Sequence, residues 1–322
     1  MYNKQQAIEQ MNTWGGQGTP FLFIINFEAT EALLYPLDAV PESVFYSLNG
    51  VSNSSLKGVS TPFSFDAKPV AFETYKKVFD RVVHELNYGN SYLLNLTFPT
   101  LLDTSLRLKE VFARSTAPYK LLVDSKFVVF SPESFVRIEG NTISGYPMKG
   151  TIDADLPNAK ELLLNDPKEE AEHATIVDLI RNDLSTVATN VRVTNYRYIE
   201  EVKTFRKRLL QASSKIEGKL PDNYQKQLGS ILFRLLPAGS ISGAPKKKTI
   251  EIINENESYK RDYFTGIFGI FDGEKLDSGV MIRFIENING TLVFKSGGGI
   301  TAQSEAKAEY QELIDKVYVP FI

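Results

Sequence analysis

The chain of 322 residues contains no cysteine and only two histidines, His84 and His173. The absence of cysteine excludes disulfides, thiolate zinc sites, iron–sulfur clusters and cysteine nucleophiles. A Ser-His-Asp triad would have to use one of the two histidines, and no Gly-x-Ser-x-Gly elbow is evident for either. Any metal ion must therefore be held mainly by oxygen ligands, which suits Mg²⁺.

Excess charge and long apolar runs are also missing. The formal net charge of −3 leaves no basic excess to bind a nucleic acid or an anionic membrane. The longest apolar stretch, around residues 21–25, is far shorter than the roughly 20 residues that span a bilayer. The first residues contain no signal-peptide pattern. We expect a cytoplasmic protein with no nucleic-acid or membrane partner.

Helical and strand patterns are interspersed without a regular βαβ order, which favours an α+β fold with large antiparallel sheets. Hydrophobic spacing predicts helices at residues 4–12, 74–87, 167–188 and 304–317, and strands at 21–27, 91–97, 120–130, 266–271, 280–285 and 291–295. A Ser/Gly/Asn-rich stretch at 47–60 is the best candidate boundary. We expect an abbreviated N-terminal part, residues 1–70, packed on the same sheets as a catalytic domain, residues 71–322, in one structural unit.

A lysine and a glutamate flank a predicted hairpin. Residues 135–139 and 142–146 nearly alternate apolar and polar on either side of Gly140-Asn141, as in an antiparallel pair with a tight turn. Glu133 precedes this hairpin and Lys149 follows it, so both are expected at its open end. A carboxyl group and an amine that meet there can act as acid/base and nucleophile. The alternative is two unrelated surface charges.

Two predicted helices carry acidic pairs. Glu309 and Glu312 lie on one face of the helix at 304–317, and Glu169 and Glu172 lie one turn apart in the helix at 167–188. Carboxylates on an amphipathic helix are usually its solvated face. Two such pairs in a chain without cysteine are also suited to hold a hard divalent cation.

Two glycine-rich segments and one arginine complete the set of candidates. Residues 239–246 run from Gly239-Ser240 through Ser242-Gly243 into a helix start, where free backbone N–H groups can receive an anion. Residues 296–301 follow a strand and would let backbone amides approach a carboxylate. Both segments also fit ordinary tight turns. Arg283, in an apolar predicted strand, requires an anionic partner if it is buried.

These motifs together resemble the chorismate-utilising enzymes, the family that includes anthranilate, isochorismate, salicylate and aminodeoxychorismate synthases. The matching stretches, in family order, are residues 131–135, 147–151, 172–184, 239–246, 283, 296–301 and 309–312. The resemblance implies the chorismate-binding fold, in which large antiparallel β-sheets form a sandwich flanked by helices.

The run Pro147-Met148-Lys149-Gly150-Thr151 is similar to the Pro-Ile-Lys-Gly-Thr of aminodeoxychorismate synthases, whereas anthranilate synthases have alanine at the lysine position. The resemblance implies amination of chorismate to 4-amino-4-deoxychorismate, in 4-aminobenzoate and folate synthesis, through a covalent bond to Lys149. The lysine must be neutral to attack, so we expect its pKa to be lowered. Glu133 would protonate the departing hydroxyl, which requires a carboxylic acid. The alternatives are isochorismate or anthranilate synthesis, or a non-catalytic chorismate-binding relative.

The resemblance also implies roles for the other candidates. Mg²⁺ would be held by Glu172, Glu309 and Glu312, with Glu169 nearby, and would neutralise the ring carboxylate. Substrate-binding positions would be Thr151, Gln211, Ser242, Gly243, Arg283, Gly297, Gly298 and Gly299, with Arg283 on the enolpyruvyl carboxylate. Many relatives have a histidine in place of Gln211 and a tyrosine in place of Ile270. Because glutamine amidotransferases use a cysteine that this chain lacks, the implied partner is a separate glutaminase subunit that supplies ammonia.

Overall fold

The computed structural model describes residues 1–58, 62–203 and 208–321, leaving out the side chains of residues 202 and 203. The strands are β1 Tyr2–Asn3, β2 Phe21–Ile25, β3 Glu31–Pro36, β4 Val44–Leu48, β5 Val51–Ser52, β6 Phe65–Lys68, β7 Leu93–Thr104, β8 Tyr119–Val123, β9 Phe127–Ser131, β10 Ser134–Glu139, β11 Thr142–Gly145, β12 Met148–Asp153, β13 Thr189–Lys203, β14 Arg208–Lys219, β15 Gly243–Ala244, β16 Ile267–Phe271, β17 Leu276–Val280, β18 Phe284–Ile288 and β19 Thr291–Ile300. The helices are α1 Lys4–Gln17, α2 Phe72–Asn87, α3 Leu108–Arg114, α4 Ala159–Leu164, α5 Pro167–Ser185, α6 Leu228–Leu235, α7 Gly239–Ser242, α8 Lys246–Asn256 and α9 Ala306–Asp315, with 3₁₀ turns at Leu37–Ala39 and Tyr224–Gln227.

The strands form two antiparallel sheets. The first has the order β1-β3-β2-β16-β17-β10-β11-β14-β12, with β13 on the other edge of β14. The second has the order β15-β7-β19-β18-β9-β8-β4-β5, with β6 on β7. The chain passes from the first sheet to the second between β17 and β18, where Arg283 lies.

The two sheets face each other across one hydrophobic core and carry helices on their other sides. Leu22 and Phe268 of the first sheet pack with Tyr46 and Phe284 of the second in this central core. Helices α1, α5 and α6 contribute to a second cluster with the first sheet, and α3 packs on the second sheet. Helices α2, α8 and α9 pack together with β7 and the end of β19. The predicted α+β class with sandwiched antiparallel sheets and flanking helices is confirmed.

The predicted hairpin is present, because Arg137 pairs with Ser144 and Glu139 with Thr142 around the Gly140-Asn141 turn. The prediction of a single strand at 120–130 is wrong, because the chain reverses at residues 124–126, where Ser125 has a φ of 63°. The prediction of a strand at 280–285 is also wrong, because these residues contain the crossover between sheets and belong partly to β17 and partly to β18. The strands on either side of residues 124–126 are mostly buried and read as one apolar run, in which only the polar residues of the turn mark the reversal.

Residues 1–70 contribute strands to both sheets. Strand β2 pairs with β16 from Phe21↔Phe271 to Ile25↔Ile267, and β4 pairs with β8 in the other sheet. All five residues of β2 are buried. The end of the predicted boundary stretch, at residues 59–60, lies outside the described residues. The division at residue 70 stays a prediction.

Candidate active site

A cavity of about 880 Å³ lies among α5, α7, α9, β7 and β19. It collects residues that are far apart in sequence, since antiparallel pairing places the end of β19 beside β7 and the start of β12 beside β14. The predicted site residues that line it are Glu133, Lys149, Glu172, Gln211, Ser242, Gly243, Arg283, Gly297, Gly298, Gly299 and Glu309.

Three predicted residues do not line the cavity. The Thr151 side chain is exposed, because β12 shifts register between Met148 and Thr151 as it pairs with β14. Glu169 and Glu312 are not among the residues that line the cavity, although each affects Lys149 electrostatically. The prediction that Thr151 lies inside the pocket is therefore not met in this structure.

Lys149 lies on β12 and forms an ion pair with Glu172 of α5, with 2.8 Å between its Nζ and Oε2 of the glutamate. The next residue, Gly150, has a φ of 87°, which favours glycine, and a Cβ there would lie 2.9 Å from Glu169 Oε2. Burial lowers the pKa of Lys149, but the hydrogen bond and charge of Glu172, with the charges of Glu312 and Glu169, raise it above its usual value. The expectation of a lowered Lys149 pKa is therefore wrong for the protein alone, since the acidic neighbours outweigh burial.

Glu133 lies just before β10 and receives a hydrogen bond from Ser240 Oγ of α7. Burial raises the pKa of Glu133, and the hydrogen bond from Ser240 and the charges of Arg283 and Lys316 offset only part of that increase. A carboxyl group with a raised pKa keeps its proton to a higher pH. The expectation of a proton-donating Glu133 agrees with this direction.

The four predicted metal ligands lie around Lys149 on two helices. Burial raises the pKa of Glu169 and of Glu309, and one oxygen of Glu169 is buried without a hydrogen-bond partner among the described residues. Glu309 receives a hydrogen bond from Ser304 Oγ at 2.8 Å. In the part of the chain that the structure describes, no three acidic or histidine side chains converge closely enough to hold a metal ion as they stand. The carboxylate oxygens have the right chemistry for Mg²⁺. One oxygen of Glu172 is ion-paired with Lys149 Nζ, and one oxygen of Glu312 is ion-paired with Lys316 Nζ.

Lys316 is a cavity residue that the sequence reasoning missed. Its Nζ lies 2.6 Å from Glu312 Oε1 and donates to the carbonyl oxygen of Gly297 at 2.8 Å. Burial lowers the pKa of Lys316, as do the like charges of Arg283 and Lys149, although Glu312 opposes them. Its position four residues after Glu312 was the signal that could have found it.

Arg283 lies in the segment between β17 and β18, where the chain crosses from one sheet to the other, and not inside a strand. Its backbone has a φ of 53° and its guanidinium lies over the ring of Tyr318, 5.4 Å from the centroid. No carboxylate lies within ion-pair distance of its guanidinium among the described residues. With Lys316 it gives the cavity a cationic side that faces the glycine-rich strand.

The glycines of the cavity wall differ in what a Cβ at each position would contact. A Cβ on Gly243, whose φ is 132°, would lie 1.8 Å from the carbonyl oxygen of Leu93, and one on Gly297 would lie 2.3 Å from that of Leu96. These two glycines allow neighbouring backbones to approach. A Cβ on Gly298 would meet only side-chain atoms of Glu309, Glu312 and Lys316, at 3.5 Å or more. A side chain at position 298 would therefore fit beside the sheet but would take up space in the cavity.

Comparison with known proteins agrees with this arrangement. The chorismate binding enzyme family matches residues 28–321. An uncharacterized PabA-like protein of Pasteurella multocida (strain Pm70) is 52% identical over 316 residues, which are 97% of this chain and 98% of that protein. Aminodeoxychorismate synthase component 1 of Escherichia coli (strain K12) is 33% identical over 262 residues, 76% of this chain and 56% of that enzyme.

Solved structures show the same fold at low sequence identity. The putative 2,3-dihydroxybenzoate-specific isochorismate synthase of Bacillus anthracis aligns with a TM-score of 0.71 and 22% identity over 97% of this chain and 86% of that one. The menaquinone-specific isochorismate synthase of Escherichia coli aligns with a TM-score of 0.74 and 15% identity over 98% of this chain and 81% of that one. No described helix is long and apolar enough to cross a bilayer. The chain belongs to the chorismate-binding enzyme family.

Proposed function

We propose that this protein aminates chorismate to 4-amino-4-deoxychorismate, using Lys149 as nucleophile and Glu133 as acid. The observation that carries the proposal is a cavity lined by the amine of Lys149, the Glu133 carboxyl group of raised pKa, and two further cations, Arg283 and Lys316. These two cations would bind the carboxylates of the substrate. The similarity to aminodeoxychorismate synthase component 1, at 33% identity, supports a chorismate-using enzyme, and the lysine of the Pro147–Thr151 run favours amination among the family's reactions.

In the first step the neutral Nζ of Lys149 forms a bond to ring carbon 2, the ring double bonds shift, and the bond from carbon 4 to its hydroxyl breaks. Glu133 gives its proton to the departing oxygen, which leaves as water. In the second step ammonia forms a bond to carbon 4, the double bonds shift back, and Lys149 leaves carbon 2 as a free amine. The proton that the former ammonia loses would return to Glu133. The net change is chorismate plus ammonia to aminodeoxychorismate plus water.

The cations of the cavity suit a substrate with two carboxylates. Arg283, whose guanidinium has no carboxylate partner among the described residues, would form a fork with the enolpyruvyl carboxylate. Backbone amides of Gly297–Gly299, with Ser242 and Gly243, would line the ring. Gln211, on β14, would contact the substrate from the opposite wall.

Mg²⁺ belongs to the proposal, with Glu172, Glu309 and Glu312 as ligands and Glu169 close by. When bound it would neutralise the ring carboxylate. Glu172 holds the ammonium form of Lys149 in the protein alone. Loss of the hydrogen bond and charge of Glu172 would remove the largest effects that raise the pKa of Lys149 and so shift the lysine towards the neutral amine that the reaction requires.

Ammonia would come from a separate glutaminase subunit, because the chain has no cysteine to release it from glutamine. The purified chain is then expected to form product with ammonium and none with glutamine. Product formed from glutamine by the chain alone would contradict this part of the proposal.

The test of the proposed function is mass spectrometry of the products formed from chorismate, Mg²⁺ and ammonium. Wild type should give aminodeoxychorismate, and Lys149→Ala should give none. Lys247→Ala, which removes an exposed lysine outside the cavity, is the matched control and should be active. Isochorismate or anthranilate from wild type would overturn the assigned reaction, and full activity of Lys149→Ala would overturn the nucleophile.

A further inference from the structure

A fully buried ion pair lies behind the cavity, in the segment that follows α8. Arg261 and Glu257 have side chains only 1% and 2% exposed. The Arg261 Nε donates to Glu257 Oε2 at 2.8 Å, and Nη2 donates to Oε1 at 2.6 Å. The guanidinium also lies over the ring of Phe27, 4.6 Å from its centroid. Neither charged side chain lines the cavity.

The pair forms hydrogen bonds with the backbones of α7 and β7, two elements that do line the cavity. Arg261 Nη1 donates to the carbonyl oxygen of Ile241 at 3.0 Å, and Nη2 donates to that of Asn95 at 2.6 Å. Glu257 Oε1 receives the backbone N–H of Thr97 at 3.0 Å and the Oγ1 hydroxyl of Thr97 at 2.7 Å. One rigid charged unit therefore connects α7 to β7.

Both attachment points lie next to atoms of the proposed reaction site. Ile241 stands between Ser240, which donates to Glu133, and Ser242 of the cavity wall. In the sheet, Asn95 pairs with Gly299 and Thr97 with Gly297. The pair therefore acts on the acid from one side and on the glycine-rich wall from the other.

We propose that Glu257 and Arg261 are positioning residues that fix the distance between the acid Glu133 and the Gly297–Gly299 wall. The proposal rests on the proposed function for its catalytic consequence. A buried ion pair contributes little net stability compared with apolar side chains of the same size, so geometry is the property that it supplies best. Only a guanidinium can bind a carboxylate by two N–H groups while reaching two further carbonyl oxygens.

The test compares conservative variants by kcat and KM for chorismate. Arg261→Lys retains the charge and loses the fork, and Glu257→Gln retains the shape and loses the charge. Because displacement of a catalytic group by about 1 Å can lower a rate by about 100-fold, we expect kcat to fall by about 10- to 100-fold in both variants. Thr97→Val removes the Oγ1 bonds to Glu257 and to the Tyr259 hydroxyl, retains the backbone N–H bond to Glu257, and should give a smaller loss of kcat.

Tyr119→Phe is the control for loss of a buried polar group. Its hydroxyl joins Asp277 and Arg137 at 2.9 Å each, outside the cavity, so its melting temperature should fall while kcat is unchanged. The melting temperatures of Arg261→Lys and Glu257→Gln could fall as that of Tyr119→Phe does, with kcat per folded molecule equal to that of wild type. This result would show that the pair is merely structural and would overturn the proposal. If Arg261→Lys does not fold, Glu257→Gln and Thr97→Val decide by the same criterion.

Hydrogen exchange separates this inference from the proposed reaction. The amides of residues 239–243 and 297–299 should exchange faster in Glu257→Gln and Arg261→Lys than in wild type, and those of β2 should not. Unchanged exchange in both cavity segments would overturn the positioning role, whatever product wild type forms. Wild type that forms no aminodeoxychorismate, with accelerated exchange in the variants, would reject the proposed function and retain the positioning role.

Discussion

At the scale of single residues, the ion pair between Lys149 and Glu172 sets the state of the site. The 2.8 Å contact raises the pKa of Lys149 although burial alone would lower it. The proposed nucleophile is thus kept protonated by the same carboxylate that is a proposed metal ligand. Changes at Glu172 should affect the lysine directly.

Replacement of Glu172 by glutamine should lower the pKa of Lys149, because the hydrogen bond and charge of Glu172 are the largest effects that raise it. The midpoint for acetylation of Lys149, followed by peptide mass spectrometry against pH, should move to lower pH. Glu170→Gln, an exposed acid on the same helix that pairs with Arg197, is the control and should leave the midpoint unchanged. A midpoint that stays in place or rises in Glu172→Gln would refute the assigned cause.

Ser240→Ala should raise the pKa of Glu133 further, since the hydrogen bond from Ser240 favours the ionised form. If Glu133 acts as an acid, activity falls as pH rises through its pKa. The decrease of kcat/KM at high pH should therefore move to higher pH in Ser240→Ala, and this limb should be absent in residual activity of Glu133→Gln. A shift to lower pH would contradict the role of Glu133 as acid.

Lys316→Met should weaken chorismate binding more than turnover, because it removes one of the two cations proposed to bind the substrate carboxylates. Hydrogen bonds to charged groups contribute about 1.5–3 kcal/mol, so KM should rise by about 10- to 100-fold. Steady-state kinetics measures this, and unchanged KM with lower kcat would mean that Lys316 acts on a proton instead.

At the scale of secondary-structure elements, different glycines at the end of β19 affect the packing of the sheet and the space in the cavity. Gly297→Ala places a Cβ 2.3 Å from a β7 carbonyl oxygen, whereas Gly298→Ala meets only side chains that can move. Gly297→Ala should therefore lose about 1–3 kcal/mol of unfolding free energy. Gly298→Ala should stay within about 0.5 kcal/mol of wild type and still lose activity.

Urea unfolding followed by fluorescence of Trp14, the single tryptophan, measures the stability of both variants, and kcat/KM measures their activity. Equal stability of the two variants would show that the sheet tolerates a side chain at position 297.

Elements with a clear period of hydrophobic residues were predicted well from the sequence. The site, in contrast, depends on residues that no such period marks. The helix at 74–87 and the hairpin around Gly140-Asn141 follow from apolar spacing and turn chemistry. The reversal at residue 125 joins two strands in which nine of ten residues are buried, so alternation does not mark it, and the polar residues 124–126 between the two apolar runs were the signal that the prediction overlooked. Ser240 contacts Glu133, 107 residues away in sequence, by long-range packing that local patterns do not record.

At the scale of the whole molecule, the N-terminal residues complete both sheets. A chain that begins at residue 71 would leave β16 without its β2 partner and expose apolar side chains of the central core, including Phe268. Such a chain should not fold alone, as size-exclusion chromatography and the absence of a cooperative urea transition would show. A monomeric truncated protein with cooperative unfolding would establish residues 71–322 as an independent domain.

The pairing of β2 with β16 has a consequence for how the protein is made. During translation Phe21 leaves the ribosome long before its partner Phe271 has been synthesised. The early strand, with every residue apolar, can pair with β3 soon after both emerge, but its other edge must wait unpaired and is prone to aggregate. Chaperone dependence should consequently fall on the nascent chain rather than on the finished protein, and it should end only when β16 emerges.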